Sequence, residues 1–123
     1  MSAPPVPPGW PAQVRPPGTP DWEATAVGWL LDLCPPEHRR YEVLRRHPVV
    51  LARFAHHHVQ AGERAAREGL ATARTELRDL VPAEVVAAAV QAWEREGARL
   101  VGEVRAVGLV EQALRGRRYV ARL

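Results

Sequence analysis

The strongest periodic signal lies in the second half of the chain. Apolar positions recur there in steps alternating four and three: Val86, Val90, Trp93, Gly97, Leu100, Val104 and Val107, then Glu111 and Leu114. That spacing keeps one stripe of a helix turned toward a partner helix along its whole length. The segment before it carries an answering series: Ala55, Val59, Gly62, Ala66, Leu70, Ala73, Leu77 and Leu80. No strong breaker lies between Pro48 and Val81-Pro82, or between Pro82 and about Gly116. The glycines inside these runs weaken a helix without ending it. Two long helices are therefore predicted, at about 48–80 and 82–115, doubled back by a tight turn at Leu80–Pro82 into an antiparallel hairpin. Folding about that turn sets Gly62 against Leu100, Ala66 against Gly97, Leu70 against Trp93, Ala73 against Val90 and Leu77 against Val86. Small meets large in most layers, as a close-packed seam requires.

Proline organises the first half. Eight of the twelve prolines fall in the first twenty residues, so Met1 to about Gly18 reads as a disordered or extended arm with polyproline II character. Trp10 and Val14 are the side chains there that could anchor it. The spacing of Pro4, Pro5, Pro8 and Pro11 would also suit a polyproline ligand, although a linker or wrapped arm is the preferred reading. Residues 19–123 form the helical domain. Thr19-Pro20-Asp21 offers a cap, a first-turn proline and early negative charge for a helix over about 20–34. Its stripe is Trp22, Ala26, Trp29 and Leu33, with Leu30 beside it. Pro35-Pro36 stops that helix and starts a second over about 36–47, with Tyr41 and Leu44 turned inward. His47-Pro48 marks the next break. These two short helices form a lid over the open end of the hairpin, where Leu51, Phe54, Leu109, Val110 and Leu114 collect. The expected fold is all-α, ending in a basic tail at 116–123.

Composition narrows the setting. The chain has 123 residues, 46% hydrophobic and 25% charged, with a net charge of +3. All 17 basic residues are Arg, and Lys, Asn and Ile are absent. Those three residues use AT-rich codons, so a GC-rich genome accounts for the bias and the basic balance says little about nucleic acid. Cys34 is the single cysteine, which excludes an intrachain disulfide and fits a reducing compartment. No run approaches the ~18 apolar residues of a membrane span, and the arm lacks the charged start and apolar stretch of a signal peptide. A cytoplasmic protein is expected.

Candidate chemistry is sparse. The start of the last helix is apolar nearly all round, and nothing else in the chain is left to cover it. Val85, Ala88, Ala89, Ala92 and Trp93 are thus the candidate partner-binding residues, either in a two-fold homodimer or on a helix of another protein. The bland alternative is a helix whose alanines expose little area. Consecutive residues His56, His57 and His58 point about 100° apart, and their i+4 neighbours Gln60, Ala61 and Gly62 are poor ligands, so no metal site is expected. One of the three should touch the lid and the others face water. Cys34 reads as a small buried side chain at a helix end. Glu63 with Arg67 and Glu111 with Arg115 read as solvated i,i+4 pairs. No phosphate loop, GxSxG, HExxH or Glu-x-x-His motif is present, so no catalytic residue and no cofactor is expected. The C-terminal run Arg115, Arg117, Arg118, Tyr119 and Arg122 combines cations with a stacking ring and is the candidate nucleic-acid contact. The preferred reading is instead a tail that leaves the helix at Gly116 and lays Tyr119 and Val120 against the lid.

The runs Arg15-Pro16-Pro17-Gly18, Trp22-Glu23, Trp29-Leu30-Leu31-Asp32, Cys34-Pro35-Pro36-Glu37 and Leu44-Arg45-Arg46-His47-Pro48 carry a resemblance, as does Leu114-Arg115-Gly116-Arg117-Arg118-Tyr119. Over about residues 15–119 the chain resembles small helical proteins of high-GC, actinobacterial-type genomes. The resemblance implies a source and brings no mechanism. The functional expectation is a non-enzymatic interaction or scaffold module working through its helical surfaces. The alternative is a basic accessory factor that binds nucleic acid or a nucleoprotein machine.

Overall fold

Prolines set the helix boundaries in the computed structural model, which describes residues 4–117 and 119–121. Helix α1 spans Trp22–Leu33 and is followed by a 3₁₀ turn at Pro36–Arg40. Helix α2 spans Glu42–Arg46, α3 Pro48–Leu77 and α4 Ala83–Leu114. Pro48 sits in the first turn of α3, where its missing N–H costs nothing, and Pro82 immediately precedes α4. Most of the described residues are helical, and none of them forms a strand.

The two long helices pack along each other, and their partners run in opposite senses. Arg53 meets Glu111, His56 lies by Gly108, Leu100 closes over Gly62 and Trp93 lies across Gly69. The seam positions Ala55, Val59, Ala66, Ala73, Val86, Val90, Leu100 and Val107 are all buried. Trp93 was expected over Leu70; its indole instead covers Gly69, because a ring that large spans more than one layer and takes the site with no side chain.

The main core sits at the end away from the α3–α4 turn. There Ala26, Leu30 and Leu31 of α1, Cys34, and Leu44 of α2 pack with Leu51, Ala52, Ala55, Val107 and Val110. α1 and α2 both lie against α3.

Four local expectations need correction. First, α1 starts at Trp22, and Thr19 does not cap it. The Thr19 hydroxyl donates to the Pro16 carbonyl, while Asp21 adopts a left-handed φ of 64°. The Trp22 N–H reaches back to the Thr19 carbonyl, so residues 19–22 form a turn of the type II pattern with Pro at its second position. Second, the stretch 36–47 is not one helix. A 3₁₀ turn advances about 120° per residue rather than about 100°, and Tyr41 is then extended at φ −83° and ψ 103°. The phase drawn for one continuous helix is lost, and Tyr41 is 53% exposed. Third, α3 stops at Leu77: the Leu80 and Val81 N–H groups both turn back to the Leu77 carbonyl, and Pro82, which has no N–H to donate, cannot continue the ladder. Leu80, expected on the seam, stands in the turn at 74% exposure.

Fourth, the described part of the Pro-rich arm is neither disordered nor extended. It runs as turns closed by Trp10 N–H to the Pro7 carbonyl and Val14 N–H to the Pro11 carbonyl. The Trp10 indole N–H donates to the Val14 carbonyl at 2.8 Å, and Val14 is buried in the core at 3% exposure. Arg105 of α4 donates to the Pro8 carbonyl. Proline denies the arm a regular ladder, so tertiary contacts hold it instead.

Candidate functional site

The turn end joins most of the residues singled out from the sequence. Val85 is 45% exposed, and Ala88 and Ala92 are exposed on the same flank of α4. Ala89 and Trp93 are half-buried, because Trp93 spends its ring on Gly69 of α3. Leu80 completes the apolar surface and was missed as a surface residue, since the seam pattern placed it inside. Its signal was the tight turn expected at Leu80–Pro82, which conflicts with the seam series that ends on the same residue.

Of the C-terminal arginines, Arg115 and Arg117 are described, and they stand on either side of the end of α4. Helix α4 ends in a Schellman motif: Gly116 N–H bonds to the Ala113 carbonyl and Arg117 N–H to the Gln112 carbonyl. Gly116 takes φ +87°, which its missing Cβ permits. Arg115 turns back to Glu111 at 2.7 Å. Arg117 and Tyr119 are exposed. Tyr119, Trp10 and Trp22 face a groove of about 480 Å³ between the arm and the end of α4. Arg118 and Arg122 lie outside the described residues.

Glu111 is the polar centre of the fold. It is 6% exposed and meets Arg53 at 3.1 Å as well as Arg115, so it is not the solvated partner expected. His56 Nδ1 lies 4.0 Å from the same carboxylate. Burial pushes the His56 pKa below its ordinary value, with Arg53 and His57 adding to the effect and Glu111 opposing it. His56 thus faces α4. His57 and His58 are exposed, and the lid contact comes from His58, whose ring lies 6.4 Å from that of His38.

The lid end presents a second apolar surface that sequence reasoning missed. His38 sits among Tyr41, Phe54 and His58, with ring centroids 6.0 and 5.9 Å from the first two, and meets Phe54 edge to face. A shallow hollow of about 450 Å³ opens there, lined by His38, Val50, Arg53, Phe54, His57 and His58. Phe54 is 43% exposed although it was expected beneath the lid. The lid covers Leu51, as expected, and Ala55 beside it.

Cys34 caps the end of α1 with its N–H on the Leu31 carbonyl and is buried. Burial raises its thiol pKa and Arg39 only partly offsets this, so the nucleophilic thiolate is disfavoured. Among the described residues no group of three His, Cys, Asp or Glu side chains is close enough to hold a metal ion. Nor is any helix among the described residues long and apolar enough to cross a membrane. No family model, curated protein or solved structure matches the chain.

Proposed function

We propose that the protein is a non-enzymatic interaction module of the cytoplasm, an antiparallel helical hairpin that offers its turn end to a protein partner. One observation carries this reading: Leu80 and Val85 stand 74% and 45% exposed at the turn while the main core gathers at the other end. Exposed large apolar groups grouped at one place are the usual mark of an association surface. Ala88 and Ala92 beside them let another backbone approach closely. The nucleic-acid alternative is weaker, because Glu111 holds Arg115. A contact resting on Arg117 and Tyr119 among the described residues would be feeble and salt-sensitive.

The test compares wild type with Leu80→Glu/Val85→Glu, measuring solution mass and affinity capture against far-UV circular dichroism. Loss of association with helicity retained is the expected result. Complexes that survive both substitutions overturn the reading.

A further inference from the structure

We propose that the groove between the arm and the end of α4 binds a small aromatic carboxylate, with Arg117 as its counter-charge. The site is separate from the turn end and independent of what binds there.

Two left-handed glycines shape the groove. Gly18, at φ +86°, turns the arm toward α1, and Gly116, at φ +87°, turns the chain away from the end of α4. Both line the groove, together with the rings of Trp10, Trp22 and Tyr119. Trp10 is held by its N–H on the Val14 carbonyl, and both tryptophans pack on the core cluster. Those two ring platforms are therefore in place before a ligand arrives, which lowers the cost of binding. Leu109 and Ala113 of α4 add apolar wall opposite the prolines of the arm. At about 480 Å³ the space has the size of a small-molecule site, which is mostly apolar with a few polar groups.

The polar groups set the charge of the ligand. Gln112 and Arg117 line the groove, and among the described residues no carboxylate does. Arg117 is exposed and forms no ion pair among those residues. The nearby acids do not neutralise it. Glu111 is taken by Arg53 and Arg115, and Asp21 and Glu23, on either side of Trp22, stay outside the lining. A guanidinium beside ring-lined apolar walls suits a carboxylate carried on a flat apolar body. The rings stack on the body, and the fork of N–H donors takes the two oxygens. A cationic ligand would meet Arg117 with no carboxylate to hold it. A polyanion would find one cation and apolar walls for its sugars.

Titration calorimetry with naphthoate, neutral naphthamide and cationic naphthylmethylamine compares one ring system at three charges. Naphthoate should bind one to one, naphthamide about tenfold more weakly and the amine weakest. Arg117→Gln should lower naphthoate affinity about tenfold and leave naphthamide unchanged. Arg95→Gln, at an exposed position of α4 outside the groove, should change neither. Tyr119→Ala should weaken both ligands, because stacking does not depend on their charge. The tryptophans locate the ligand. The NMR signals of the Trp10 and Trp22 indole N–H groups should shift on titration, and that of Trp93, across Gly69, should not.

Naphthoate held as tightly by Arg117→Gln as by wild type would overturn the anion as ligand. A shift confined to Trp93 would overturn the site. Absence of saturable naphthoate binding up to millimolar concentration would remove the proposal outright. None of these results bears on association through Leu80 and Val85, which solution mass reads separately.

Discussion

The indole of Trp93 lies directly across Gly69, leaving no space for a β-carbon on that glycine. This contact lies far from the main core. Gly69→Ala should therefore destabilise by about 1–3 kcal/mol through overpacking, although Ala is the better helix former by about 1 kcal/mol. Gly102 supplies the control, since nothing lies within 4 Å of a β-carbon built there. Gly102→Ala should stabilise by up to about 1 kcal/mol. Urea denaturation of both variants checks the contrast in sign.

Glu111 joins α3 to the end of α4 through Arg53 and Arg115, whose side chains remain 42% and 46% exposed. Removing the buried carboxylate leaves two cations that can still reach water, so the cost should fall below that of breaking a fully buried pair. Glu111→Ala is expected to cost about 2 kcal/mol and Arg115→Ala about 0.5–1 kcal/mol. Equilibrium unfolding of the two single variants and the double variant measures the coupling. A Glu111→Ala protein as stable as wild type would contradict this role.

The seam of the long helices was legible from the helical spacing within each run. The size pairing between the runs is seen where Leu100 meets Gly62. A β-carbon at Gly97, however, would meet nothing within 4 Å, and Trp93 covers Gly69 rather than Leu70. Val90, Leu100 and Ala66 are buried as the alternation of four and three requires. Glu111 gave conflicting signals: its seam position argued for burial, and its spacing to Arg115 argued for a solvated pair. Packing decided that conflict, and Arg53, 58 residues away in sequence, supplied the second cation. Periodicity fails where helix type changes, which is why Tyr41 and Phe54, and with them the hollow, escaped notice. A five-residue 3₁₀ turn at Pro36–Arg40 shifts the phase of everything the lid places on α3. The arm was legible in part: Trp10 and Val14 stood out as possible anchors and do dock it, while its order was left open. Proline excludes regular structure but does not say whether tertiary contacts hold the chain.

His56 should give the fold a pH-dependent stability. Its folded pKa lies below the ordinary 6.5, chiefly because burial disfavours the imidazolium. The unfolded chain therefore binds more protons as pH falls through that value, and the stability contributed by neutral His56 declines on the acid side. It is fully present above the ordinary value and is lost down to the lowered one. Unfolding free energies compared at about pH 8 and about pH 5 should fall more for wild type than for His56→Gln. The solvated His57 and His58 are present in both proteins and drop out of the comparison. Equal losses in the two would show that His56 is not the linked group.

Val14 puts the docked arm to a direct test. It is 3% exposed within the core cluster, and its carbonyl accepts the Trp10 indole N–H, so the arm's hold on the body depends on both residues. Val14→Ala removes two buried methyl groups and should cost about 1–3 kcal/mol. Trp10→Phe keeps the ring but not the donor and should cost about 1 kcal/mol. An arm free in solution would register neither change in equilibrium unfolding. It would also be cleaved by protease at wild-type rates in both variants, whereas a docked arm released by Val14→Ala should be cut faster near residues 10–15. The two measurements fail independently. Unchanged stability argues that Val14 adds nothing to the core, and unchanged cleavage argues that the arm stays in place without it.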